Sequence, residues 1–350
     1  MKASYQSYLL NFKRPSGTSR GVLTQKQSYF LQLRDGEHWG IGECALLRGL
    51  SIDDRPDYED KLAWLCANID KPIAELIEAL IDFPSIRFGL EMALASLHNE
   101  DPYELFPSDF TQKEAPIPIN GLIWMGSPAF MSEQIEQKLA AGFDCIKMKI
   151  GAIDFQAELD ILKHIRNRFD AKTIELRVDA NGAFSSAEAL DKLKRLSEYE
   201  IHSIEQPIKP KQWEEMAALC ATSPLPIALD EELIGVHDPE QQLQMLAAIK
   251  PQYLIFKPSL LGGFAATDQW IAAADKFDIP WWITSALESN IGLNAICQYT
   301  FSKRTILPQG LGTGSLYTNN VEAPLVVDSG YIHYCKTGQW NLNVLNLKSL

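Results

Sequence analysis

The sequence predicts an α/β chain: a (β/α)7β-type TIM barrel with an α+β N-terminal capping domain. Three observations predict it. From residue 114 to 310, short apolar runs recur at the interval of one strand–helix unit. Residues 1–113 lack that rhythm and read as a meander followed by helices. Finally, Lys149, Asp179, Glu205, Asp230 and Lys257 are separated by 30, 26, 25 and 27 residues, and each ends its own apolar run. A βα unit occupies roughly 30 residues.

In chain order, Tyr5–Phe12, Val22–Leu33 and the stretch around Trp39–Cys44 read as strands, with Arg34-Asp35-Gly36 as a hairpin turn. Asp60–Asn68 and Ile73–Leu80 read as helices. Ser85–His98 is a stronger helix, with Phe88, Met92 and Ala95 at helical spacing. The polar, proline-bearing stretch Asp101–Pro116 is the expected boundary. The first barrel strand is expected at Ile117–Ile123, followed by a helix over Ser132–Ala141 with Ser132 as N-cap and Gly142 as its stop. Strands follow at Cys145–Ile150 and Glu175–Val178, around a helix whose face is Phe155, Leu159, Leu162, Ile165 and Phe169. Ser185-Ser186-Ala187-Glu188 opens the next helix with capping-box spacing. Strands four to eight are expected at Ile201–Ile204, Ile227–Leu229, Tyr253–Phe256, Trp281–Thr284 and Thr305–Leu307, with a helix from Ser289 to Phe301 before the last. Residues 311–350 hold turns and short strand-like pieces such as Tyr331–Tyr334, and are expected to return to the capping domain.

The chain has 350 residues, 46% of them hydrophobic and 22% charged, which suits a folded protein with a substantial core. A net charge of −13 argues against non-specific nucleic-acid binding. No segment approaches ~18 uninterrupted apolar residues, so no membrane span is expected. The opening MKASYQSYLL has too short an apolar run for a signal peptide, and a cytoplasmic enzyme is expected. Six cysteines without CxxC and six histidines without HExxH argue for reduced thiols and against zinc chemistry. The oligomeric state is not readable.

In a closed parallel barrel the C-terminal ends of all strands meet at one mouth. Asp179, Glu205 and Asp230 would then converge, and their mutual repulsion calls for a cation. Three hard oxygen ligands with open positions suit Mg²⁺. Glu231 and Glu232 are expected to lie behind these ligands or face solvent. Lys147 and Lys149 alternate onto one face of their strand, into the barrel. Two ammoniums held close, and desolvated, are expected to depress each other's pKa toward the range of a general base. Lys257 ends strand six, half a ring away from Lys149. A metal flanked by two lysines suits proton abstraction next to a chelated carboxylate. The expected partner is therefore a small-molecule carboxylate.

These residues resemble the enolase superfamily, and within it the muconate-lactonizing subgroup. A Lys base working beside Mg²⁺ is already the known chemistry of that superfamily, so the mechanism class is not an independent deduction. The resemblance runs over nearly the whole chain: GIGECALLRGLSID from Gly40, INGLIWMG from Ile119, IKMKIG from Ile146, RVDANGAF from Arg177, IEQP from Ile204, ALDEEL from Ala228, FKPSLLGG from Phe256 and TSALESNIGL from Thr284. The first of these looks like the family's substrate-facing capping loop. The resemblance implies an Mg²⁺ cofactor, with Mn²⁺ as a substitute, and a syn dehydration in menaquinone biosynthesis. The substrate would be a hydroxycyclohexadiene carboxylate bearing a succinyl chain, passing through an ene-diolate. Lys149 would take the α-proton and then assist departure of the hydroxyl. Lys257 would stabilise the intermediate electrostatically. Lys147 and Asn181 would support the carboxylate and the base, and Thr284 and Ser285 would contact the substrate's polar end. Competing readings are racemisation of an N-succinylamino acid, with a lysine on each face, and a lactonizing cycloisomerase. A catalytically silent binding protein is disfavoured, because all five central residues are present.

Overall fold

A computed structural model of the chain describes residues 1–18 and 21–347. The last three positions of the expected C-terminal segment, 348–350, lie outside the described residues. An antiparallel sheet opens the chain: β1 (Lys2–Thr18), β2 (Gly21–Asp35) and β3 (His38–Cys44). Alternation along β2 sends Tyr29, Leu31 and Leu33 to one face. There they join Leu62 and Leu65 of α1 (Tyr58–Ala67), Leu76 of α2 (Ile73–Ala79) and Ile86 and Leu90 of α3 (Pro84–His98) in a core of their own. Phe30 and Ile41 face the other way and merge with the barrel core. Helix α3 lies hard against β3, where a Cβ on Gly42 would stand 1.9 Å from the Gly89 carbonyl oxygen. Only glycine permits that approach.

The stretch Asp101–Pro116 carries a short helix, α4 (Asp109–Lys113), and buries Leu105 and Phe110. Beyond it the single strand expected over Ile117–Ile123 is split. β4 (Ile117–Pro118) pairs antiparallel with a late strand, and β5 (Gly121–Ile123) starts the parallel sheet. That sheet continues in chain order through β6 (Cys145–Lys149), β7 (Glu175–Asp179), β8 (Ser203–Glu205), β9 (Ile227–Leu229), β10 (Tyr253–Phe256) and β11 (Trp281–Ile283). The intervening helices are α5 (Pro128–Ala140), α6 (Phe155–Arg166), α7 (Ser186–Ser197), α8 (Trp213–Thr222), α9 (Pro239–Ile249), the short α10 (Pro258–Leu261), α11 (Phe264–Asp275) and α12 (Asn290–Ser302).

The start of α5 and the closing strand also differ from expectation. Helix α5 begins at Pro128 and is capped by Ser127, whose side chain accepts from the Phe130 amide; Ser132 is internal. Proline suits the first helical position, since that N–H has no intrahelical partner. The eighth strand does not form at Thr305–Leu307, and Ile306 is 89% exposed. The ring closes just after it, through single parallel bridges of Gln309 with Ile119 and of Gly310 with Thr284. Pro308 has no N–H for a ladder. Gly310 passes so close to Thr284 that a Cβ would stand 2.4 Å from its Oγ1.

The C-terminal segment divides. Tyr317 bridges to Phe12, and Asn319 bonds Tyr8 and Asn11 of β1. The hairpin β12 (Leu325–Asp328) and β13 (Tyr331–Tyr334) instead pairs with β4. All six cysteines are free thiols. Among the described residues no helix is long and apolar enough to cross a membrane.

Candidate active site

Register builds the site. Lys149 pairs with Asp179 and Asp179 with Glu205, so the ends of β6, β7 and β8 lie side by side. Along each strand alternate residues turn inward. Ile146, Met148 and Val178 pack in the apolar core, while Lys147, Lys149 and Asp179 occupy the positions between them. Asp230 and Lys257 directly follow β9 and β10.

With Lys147 as a sixth member, the structure joins Lys149, Asp179, Glu205, Lys257 and Asp230 into one continuous ionic row. Lys149 Nζ donates to Asp179 Oδ2 at 2.8 Å and to Asn181 Oδ1 at 2.8 Å. Lys147 Nζ stands 3.1 Å from Asp179 Oδ2 and donates to Glu205 Oε2 at 2.5 Å. Lys257 Nζ lies 3.7 Å from Glu205 Oε1 and in direct contact with Asp230 Oδ2. The three carboxylates are no more than 2% exposed. Thr284 follows β11, and the Ser285 hydroxyl pairs with Thr313 Oγ1 at 2.6 Å. Lys147, Lys149, Asn181, Lys257, Thr284 and Ser285 all line one cavity of about 80 Å³. A wider groove of about 1280 Å³ adjoins it, sharing Leu50 and Asn181, but contains none of the three lysines. The lysines singled out in the sequence line the smaller cavity.

The depression expected at Lys147 is not what its neighbours' charges produce. Burial on its own would lower Lys147, but Asp179 and Glu205 outweigh it and hold the ammonium up at about 12. Burial likewise works against Asp179's ionised form, yet Lys147 and Lys149 keep its carboxyl well below the usual range. Burial pushes Asp230 well up, with Lys257 opposing and Glu231 and Glu205 adding. The same carboxylates pull Lys257 up against its own burial. The last two shifts describe one shared proton. We place it on Lys257, which faces Asp230, Glu205, Glu231 and Asp179 together.

Among the described residues no three His, Cys, Asp or Glu side chains form a group set around a metal ion, since the ammoniums take the carboxylate oxygens. The donor chemistry nevertheless fits a hard divalent cation. Three carboxylates converge at the strand ends, and Glu205 Oε1 is buried with no hydrogen-bond partner among the described residues. Burial is the main push on Asp230, and the repulsion from Glu231 and Glu205 that adds to it is what a cation would relieve.

Sequence reasoning missed several neighbours. Asn120, Leu122 and Trp124 also line the cavity. Lys149 Nζ stands 5.9 Å from the Trp124 ring centroid. The period of two in INGLIW was the available signal. Asn120 Oδ1 and Thr284 Oγ1 are both buried without a partner among the described residues. Glu231 and Glu232 do not face solvent. Glu231 accepts from Asn181 Nδ2 at 3.0 Å, and Glu232 accepts from Gln206 Nε2 at 3.1 Å. Asn181 and Gln206, which follow the Asp179 and Glu205 strand ends, adopt positive φ of 45° and 39°. Such backbone strain concentrates at functional sites.

The chain is similar to proteins of known family along most of its length. Residues 131–338 match the family model described as enolase C-terminal domain-like. The chain is 51% identical to an o-succinylbenzoate synthase of Desulfotalea psychrophila (strain LSv54), over 95% of this chain and 98% of that protein. The crystal structure of MenC from Desulfotalea psychrophila LSv54 superposes with a TM-score of 0.85 at 49% identity, covering 95% of this chain and 99% of the other. An N-succinylamino acid racemase of Thermus thermophilus is 33% identical over 45% of this chain and 40% of the racemase.

Proposed function

The chain belongs to the enolase superfamily, and from that premise we propose that it catalyses the o-succinylbenzoate synthase reaction. This is the syn dehydration of 2-succinyl-6-hydroxy-2,4-cyclohexadiene-1-carboxylate to 2-succinylbenzoate, a step of menaquinone biosynthesis. The observation that carries it is 51% identity across 95% of the chain, a span that includes every residue of the ionic row.

Lys149, as the free amine, removes the proton from C1. The electron pair moves toward the carboxylate, giving an ene-diolate, and returns as the C6–O bond breaks. The departing hydroxide takes the proton from Lys149 and leaves as water, and the ring becomes aromatic. One base on one face accounts for the syn course. Asn181 and Asp179 fix the Lys149 amine by their bonds at 2.8 Å. Lys257 remains an ammonium and stabilises the charge that builds on the substrate. Lys147 supports the substrate carboxylate, and Thr284 and Ser285 receive its polar chain. Mg²⁺ held by Asp179, Glu205 and Asp230, with Mn²⁺ as a substitute, would supply positive charge to a carboxylate taking up a second negative one. In this reading residues 1–113 form the cap and 114–310 the catalytic barrel of a cytoplasmic enzyme; of the expected returning segment 311–350, Tyr317 and Asn319 reach β1 while the β12–β13 hairpin pairs with β4.

Incubation with the cyclohexadiene substrate tests this reading. Loss of one water to give 2-succinylbenzoate, detected by mass spectrometry, is expected; unchanged substrate would end it. The two lysines on opposite strands of one cavity also support a second reading, racemisation of an N-succinylamino acid. That reaction incorporates α-deuterium in D₂O, and no incorporation removes it.

A further inference from the structure

One buried carboxylate outside the ionic row ties the N-terminal sheet to the wall of the cavity. Glu43, near the end of β3, is fully buried. Its Oε1 accepts from the Ser289 amide at 2.9 Å and from the Ser28 hydroxyl at 2.7 Å. Its Oε2 accepts from the Ser289 hydroxyl at 2.5 Å and the Gly292 amide at 3.0 Å. Ser289 is the N-cap of α12. Lys26 Nζ, itself buried, stands 3.8 Å from the carboxylate. A carboxylate is stabilised at a helix N-terminus by unpaired amides and the helix dipole. At the mouth of a barrel such termini commonly receive the anionic part of a ligand. Here the protein fills the position with its own glutamate, from the other structural unit.

The consequence reaches the cavity from both sides. Thr284, Ser285, Ala286 and Leu287, which run directly into Ser289, form one wall. Leu47, four residues beyond Glu43, lines the same cavity. Glu288 secures the turn between them, accepting from the Ala286 amide at 2.7 Å and from Ser259 Oγ at 2.5 Å. We infer that Glu43 is a positioning residue: by clasping the sheet to α12 it sets the 284–287 wall against the Leu47 loop, and so the fit of the substrate's non-reacting end. The effect on turnover rests on the dehydratase reading; the clasp itself does not.

A second clasp supplies the control. Glu91 of α3 accepts from the Phe264 and Ala265 amides at 2.6 and 3.2 Å, at the start of α11, which contributes no residue to the cavity. Glu43→Gln keeps the shape but removes the charge and turns one acceptor into a donor facing an N–H or O–H. It should raise KM about tenfold with kcat within about threefold, the pattern of lost uniform binding. Ser289→Ala should raise KM less, and the double variant should be no worse than Glu43→Gln alone. Glu91→Gln should lower Tm yet leave KM unchanged. Hydrogen exchange at residues 285–287 should quicken in Glu43→Gln and not in Glu91→Gln. Unchanged exchange there overturns the clasp whatever the activity. Faster exchange with unaltered KM in both Glu43→Gln and Ser289→Ala overturns the link to substrate fit. A wild-type protein that forms no 2-succinylbenzoate overturns the dehydratase reading and with it the turnover role, while exchange still decides the clasp.

Discussion

At the scale of single residues, the site is asymmetric. Lys149 is held by two oxygens, Asp179 Oδ2 and Asn181 Oδ1, with an aromatic face nearby; Lys257 is surrounded by carboxylates. A base must give up its proton and regain it, whereas a group wrapped in anions stays charged. Lys149→Ala should therefore lower kcat by about 10²–10⁴, the usual worth of a positioned acid–base group. Retention of dehydratase activity within about tenfold would show that the base lies elsewhere. Asn120 makes a different test. A buried carbonyl oxygen without a partner costs roughly 1–3 kcal/mol, and such atoms need an explanation. If Asn120 meets the substrate, Asn120→Ala should raise KM while Tm holds or rises, since no internal bond to Oδ1 is lost. A fall in Tm with KM unaltered would make Asn120 a structural residue.

At the scale of elements, the loop after β6 depends on one side chain. Glu158 of α6 accepts from the Gly151 amide at 2.6 Å, just beyond Lys149. Burial pushes its carboxyl up from 4.5 to about 7, against the backbone bonds that favour its charge. The folded chain thus keeps a proton that the unfolded chain has already lost between those values. Stability from this group is complete below the unfolded pKa and falls as pH rises through about 7. Urea midpoints should therefore drop from about pH 5 to about pH 8, and Glu158→Gln should flatten that drop by up to about 2 kcal/mol. Equal slopes in both proteins would mean that Glu158 titrates normally. The same scale explains what could be read from the sequence. Each of strands two to six is a short apolar run stopped by a charged residue, so β6–β10 and the five groups at their ends stood out. The closing strand did not, because a bridge made by Gln309 and Gly310 has no period, while the apolar Thr305–Leu307 imitates one. The raised Lys147 ammonium escaped for a related reason. Spacing places Lys147 beside Lys149, but only the folded register brings Glu205 within 2.5 Å of it.

At the scale of the molecule, the ionic row draws on five parallel strands and therefore on most of the barrel. In a chain of net charge −13, a buried set of three carboxylates is a concentrated electrostatic cost. Lysines offset it in the arrangement seen here, and all three of those lysines also line the cavity. A divalent cation shared by Asp179, Glu205 and Asp230 would let the ammoniums turn to substrate. Anything that binds the folded state alone stabilises it, by about 2.7 kcal/mol at a hundredfold excess over Kd. Mg²⁺ should therefore raise Tm in a saturable manner, and EDTA should abolish both the shift and dehydration, with Mg²⁺ restoring both. Asp230→Asn should remove the shift. Because burial pushes Asp230 up and its neighbours Glu231 and Glu205 add to that, a neutral side chain there should leave the variant without metal at least as stable as the wild type without metal. That pairing separates a ligand from an ordinary structural ion pair: loss of a structural partner lowers Tm in the absence of metal, whereas loss of a ligand lowers only the gain on adding it. A protein indifferent to chelator in both Tm and turnover would leave the three carboxylates as counter-ions to the lysines alone.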